Sequence, residues 1–78
     1  MKKPAYRYLV VFEREGKSYG AFVPDLPGCV ATGKDLATVK RRIRTAIAMH
    51  VEDMLARGQR LPKPATQSEY VDAVVPAA

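Results

Sequence analysis

The sequence predicts an α+β fold, a small antiparallel sheet with one helix on one face, in the order β-β-β-α-β. Three observations carry that expectation. Residues 6–13 and 17–23 are rich in β-branched and aromatic side chains, as half-buried strands are. Two prolines and a glycine interrupt the strand pattern at Val23-Pro24-Asp25-Leu26-Pro27-Gly28-Cys29. Beyond that break runs the single long stretch of helical periodicity.

In the first predicted strand Tyr6, Tyr8, Val10 and Phe12 share one face, and Arg7, Leu9, Val11 and Glu13 share the other. The second face is mixed rather than polar. Glu15-Gly16 is read as the turn of a hairpin whose second strand is residues 17–23. Pro24 has no N–H for a ladder and closes that strand. Asp25 can accept from its own backbone two residues on, and Pro27-Gly28 suits the centre of a type II turn. Residues 29–32 then form a third short strand, ended by Gly33.

Asp35 is a suitable helix N-cap. Leu36, Val39, Ile43, Ile47, His50 and Met54 follow at helical spacing and make a stripe wide enough to cover a sheet face. Arg57 and Gly58 make a helix stop. Leu61-Pro62-Lys63-Pro64 is an extended connector, residues 70–75 are expected as a last strand, apolar enough to pair with the sheet or with another subunit, and residues 76–78 as a frayed tail. One helix on one face leaves Leu9 and Val11 uncovered, and apolar patches of that kind mark contact surfaces.

Seventy-eight residues make one domain with a small core. The balance of 13 Lys+Arg against 8 Asp+Glu, a formal charge of +5, admits nucleic acid, an acidic protein or anionic lipid and selects none. Cys29 stands alone, which excludes an internal disulfide and fits a reducing cytoplasm. Met1-Lys2-Lys3 is not followed by a long apolar region, and the run from Tyr8 to Phe12 is too short to span a bilayer. A soluble cytoplasmic protein with no membrane partner is expected.

No catalytic residue is assigned. His50 lies on the apolar helix stripe without a partner base or acid, and Cys29 has no neighbour in sequence that would lower its pKa. One Cys and one His do not make a zinc site, and the acids are too scattered for a two-metal site. No cofactor or metal is expected. Lys40, Arg41 and Arg44 fan along one helix flank, with Arg42 on the other side. Together with sheet aromatics they support an alternative reading as a small RNA- or DNA-binding module. A hydrolase of ribonuclease-H type fares worst, because that chemistry needs clustered acids.

The residues also carry a family resemblance. A Tyr-rich first strand, then Tyr19-Gly20-Ala21-Phe22-Val23-Pro24-Asp25-Leu26-Pro27-Gly28-Cys29-Val30, then Gly33, a capped amphipathic helix, Arg57-Gly58 and Leu61-Pro62-Lys63-Pro64, resembles the HicB-like antitoxins. The core of the motif is Pro24, Asp25, Leu26, Pro27, Gly28 and Cys29. The resemblance implies a partial ribonuclease-H-like fold and a single antitoxin domain over residues 1–78. It implies no enzyme activity of its own and a HicA-like toxin ribonuclease as partner, neutralised by protein–protein contact. Many family members carry a C-terminal DNA-binding segment, and without one operator DNA is a doubtful partner. A homo-oligomer, dimer or tetramer, is expected through strand edges or the uncovered face. Leu9, Val11 and Tyr19 are the expected partner contacts.

Overall fold

The first hairpin is built on a two-residue loop. Strand β1 (Val11–Glu15) pairs antiparallel with β2 (Ser18–Phe22), and Glu15 faces Ser18 across the loop Gly16-Lys17. Gly16 sits at φ +61°, the left-handed first loop position that a type II′ turn requires. The turn therefore falls one residue later than the sequence reading placed it. This computed structural model describes residues 6–77, and the Met1-Lys2-Lys3 start and Ala78 of the expected tail lie outside them.

β1 also begins later than expected, at Val11 rather than Tyr6. A strand exists only where a partner runs beside it, and β2 ends at Phe22, just before the Pro24 turn. Residues 6–10 lose their ladder there. Of these, Tyr8 and Val10 turn to the helix side and pack against the core, and the Tyr8 hydroxyl donates to Pro62 O at 2.6 Å.

Strand β3 (Val30–Gly33) pairs antiparallel with β2, so the sheet order is β1-β2-β3 with β2 central. Helix α1 (Leu36–Ala56) follows. Its ends are as the sequence predicts. The Thr38 amide donates to the Asp35 carboxylate at 2.8 Å, an N-cap bond. At the other end Gly58 takes φ +73°, its N–H donates to Leu55 O, and the Gln59 N–H donates to Met54 O. That pair of bonds is a Schellman stop.

The core is Ala21, Val23, Leu26, Cys29, Val39 and Ile43. Val39 and Ile43 are the buried part of the helix stripe, with Ile47, Val51 and Met54 packed partly against them. Leu36, expected in the stripe, stays exposed at the sheet's rim. Close packing of α1 on β3 leaves no room at Gly33, where a Cβ would lie 3.0 Å from the Val39 nitrogen and 3.1 Å from Thr38 Cγ2.

The expected last strand does not form. Among the described residues 70–75 pair with nothing, and Tyr70, Val71, Val74 and Val75 are all at least three-quarters exposed. The radius of gyration, 15.8 Å, exceeds the roughly 11–12 Å of a compact chain of this length. Apolar, β-prone residues are not sufficient for a strand when no sheet edge is engaged.

Candidate functional site

The Pro-Asp-Leu-Pro-Gly motif is two successive β-turns. The Leu26 amide donates to Val23 O at 3.0 Å, and the Cys29 amide donates to Leu26 O at 3.0 Å. In the second turn Gly28 takes φ +87° after Pro27, the type II arrangement expected from the sequence. The Val23 N–H donates to Cys29 O and closes the loop into the sheet. The consequence for packing is that Leu26, at the junction of the turns, points inward and is completely buried. Sequence reasoning treated it as a turn residue.

Asp25 is a correction to the sequence reading. Its carboxylate accepts nothing local. Oδ2 accepts from the Ala65 and Thr66 amides at 2.9 and 3.1 Å, and Oδ1 accepts from the Thr66 hydroxyl at 2.8 Å. The loop thus clasps the chain forty residues further on. With the Tyr8–Pro62 bond it ties the connector after α1 back onto the sheet. Those donors, the Ala65 amide first and then the Thr66 amide and hydroxyl, hold the Asp25 carboxyl below the usual carboxylate range. The clasp is complete above the unfolded-state pKa and is lost as pH falls through the lower folded-state value. Hydrogen exchange at the Ala65 and Thr66 amides is therefore expected to accelerate in that acid range. Asp25→Ala should show the fast rate at neutral pH, and unchanged exchange in that variant would mean the clasp does not hold the tail.

Cys29 is buried, and burial pushes its thiol pKa up, the opposite of what a nucleophile needs. His50 is half-buried on α1. Among the described residues no three His, Cys, Asp or Glu side chains gather closely enough to hold a metal ion.

The sheet face away from α1 carries the apolar surface. Register aligns Val11 with Phe22 and Phe22 with Val30, so one row crosses all three strands. Directly opposed residues share a face. Their other neighbours in the ladder, Phe12 with Ala21 and Ala21 with Ala31, belong to the core side. Phe22 is 37% exposed and Val30 62%. Val11 and Leu9 are half-buried, and with Val10 they line a hollow beside Ser68, Glu69 and Tyr70.

The predicted contact residues are therefore not all together. Tyr19 packs on the core side, with the Arg14 guanidinium 6.0 Å from its ring centroid, and the sheet separates it from Val11. Phe22 and Val30 were missed, although alternation in a three-strand sheet with known register would have revealed them. Of the basic residues, Lys40 and Arg44 line a groove with Tyr8 and Phe12, whereas Arg41 does not. Arg42 donates to Thr32 O at 3.0 Å and fastens the helix to β3.

A three-strand sheet roofed by one helix, closed by a Pro-Asp-Leu-Pro-Gly clasp, defines a small α+β domain. Comparison places it further. The family model of the HicB-like antitoxins of bacterial toxin–antitoxin systems matches residues 8–75, and the chain belongs to that family. It is 32% identical over 65 residues to an uncharacterized 14.9 kDa protein of Haemophilus phage HP1, covering 83% of this chain and 49% of that one. It is 36% identical over 62 residues to a UPF0150 protein of Synechocystis, covering 78% of each. A UPF0150 protein of Helicobacter pylori is 41% identical over 46 residues, covering 59% of this chain and 64% of that one. The chain thus spans about half the length of the phage relative. No solved structure matches it significantly. No described helix is long and apolar enough to cross a membrane.

Proposed function

We propose that this protein binds a HicA-like, mRNA-cleaving toxin and neutralises it by covering its working surface. Membership of the antitoxin family supports the class of function. The observation that carries the contact surface is the row Val11, Phe22, Val30, an apolar strip on the sheet face without a helix. Leu9 flanks it. Desolvating such a strip against a partner supplies the driving force for association. On this reading the chain is not an enzyme and works in the cytoplasm as one antitoxin domain over residues 1–78. It acts as a homo-oligomer, and its β-β-β-α order is a partial ribonuclease-H-like fold. The test is co-expression with the product of the adjacent small gene. Co-purification and rescue of growth are expected, and separate elution with toxicity unchanged would sink the reading.

The alternative, a nucleic-acid module, is favoured by one observation, Lys40 and Arg44 beside Tyr8 and Phe12 in a single groove. Two cations are a short phosphate track against the roughly 6–10 contacts of strongly salt-dependent binders. No shift of labelled RNA or duplex at low salt would remove it.

A further inference from the structure

Helix α1 packs on β2 and β3 but not on β1. A helix with its side chains is about 10–12 Å across and strands lie about 4.8 Å apart, so one helix roofs two strands and the third stays open. The uncovered strip is a groove of about 390 Å³. Tyr8, Val10, Ile43 and Ile47 line it with apolar surface, and Lys40 and Arg44 line it with positive charge. Tyr8 and Ile47 also line a second hollow of about 550 Å³, so the groove continues along the later half of α1.

The chain carries a segment of matching chemistry. After Lys63 the only charged residues are Glu69 and Asp72, whereas all 13 Lys+Arg lie at or before Lys63. Tyr70, Val71, Val74 and Val75 project into solvent around those acids. The segment's root is fixed, because Thr66 is clasped by Asp25 and residues 68–70 lie beside Leu9, Val10 and Val11. Leu9 and Val10 also line the groove, so that stretch of backbone stands between the tail's root and its own groove. A second copy presents the same groove without that barrier.

We propose that residues 70–75 of one copy lie in the α1–β1 groove of a second copy, and the reverse, in a two-fold exchange. The valines cover the groove's apolar lining, and Glu69 and Asp72 meet Lys40 and Arg44. A two-fold interface is self-complementary, so each pair of chains buries both tails. This specifies the proposed homo-oligomer and rests on it, but does not depend on the toxin.

Light scattering on the full chain tests it. The wild type is expected at dimer mass or an even multiple of it. Glu69→Lys/Asp72→Lys sets like charges at the groove, as does Lys40→Glu/Arg44→Glu, so each variant alone should loosen the dimer tenfold or more. Mixed one to one, the two variants present opposite charges at both contacts and should recover dimer mass. Val74→Asp alters only an exposed side chain. It should give a monomer whose circular dichroism spectrum matches that of the wild type, showing that the chain still folds. A monomeric wild type overturns both the exchange and the oligomer. A dimer that ignores both charge reversals, or a mixture that stays monomeric, overturns the exchange alone.

Discussion

Leu26→Ala is expected to destabilise the protein by about 2–5 kcal/mol, the range for truncating a fully buried leucine in a core that cannot collapse. Leu26 has no exposed surface, and it is held by two turns whose backbone bonds close at 3.0 Å each. Prolines on both sides stiffen that backbone, so it does not relax into the cavity. A domain of this length has about 4–12 kcal/mol in total. One kcal/mol corresponds to about 4–8 °C at this size, so the melting midpoint should drop by about 10 °C or more. Thermal unfolding followed by circular dichroism checks it, with Leu55→Ala as the exposed control, expected within about 0.5 kcal/mol of wild type. A drop of only a few degrees for Leu26→Ala would mean the loop repacks and is not the centre of the core.

Val30→Asp is expected to weaken toxin binding by about 2 kcal/mol or more, roughly thirty-fold in Kd, by burying an unpaired carboxylate at the contact. Val30 is 62% exposed on the edge strand β3, so folding should be little affected. Phe22→Asp, next to it in the row, should act in the same direction. Lys17→Ala, in the hairpin loop, should leave binding unchanged. Calorimetric titration against the purified toxin measures all three. Wild-type affinity in both aspartate variants would move the contact surface elsewhere on the molecule.

Local chemistry explains which elements were legible. The helix bounds follow from a side-chain cap at Asp35 and a left-handed glycine at Gly58, both interactions within a few residues. The type II turn at Pro27-Gly28 is of the same kind. The first strand was drawn too early, because the chemistry of residues 6–10 is that of a strand while pairing depends on where β2 stops. The last strand failed for a related reason. Residues 70–75 have strand composition, but β1 and β3 are the sheet's edges and neither takes them.

The candidate site divides in the same way. Alternation put Leu9 and Val11 on one face, and both line one hollow, but Leu9 lies outside β1 and also lines the groove on the helix side. Tyr19 was not placed by that rule, because which face of β2 meets the helix depends on the pairing of Arg14 with Tyr19 and of Phe12 with Ala21. Cys29 was read from residue type as a small buried thiol, and it is one.

The sequence by itself determined the order β-β-β-α, the caps of the helix, the turn at Gly28 and the family signature, since each depends on neighbours along the chain. Only the tertiary structure decided that Leu26 is core and that Asp25 is a clasp for residues 65 and 66. It also aligned Val11, Phe22 and Val30 as one strip and left residues 67–77 without a sheet partner among the described residues. Those outcomes turn on register and on contacts between residues far apart in the chain. No run of adjacent side chains encodes them.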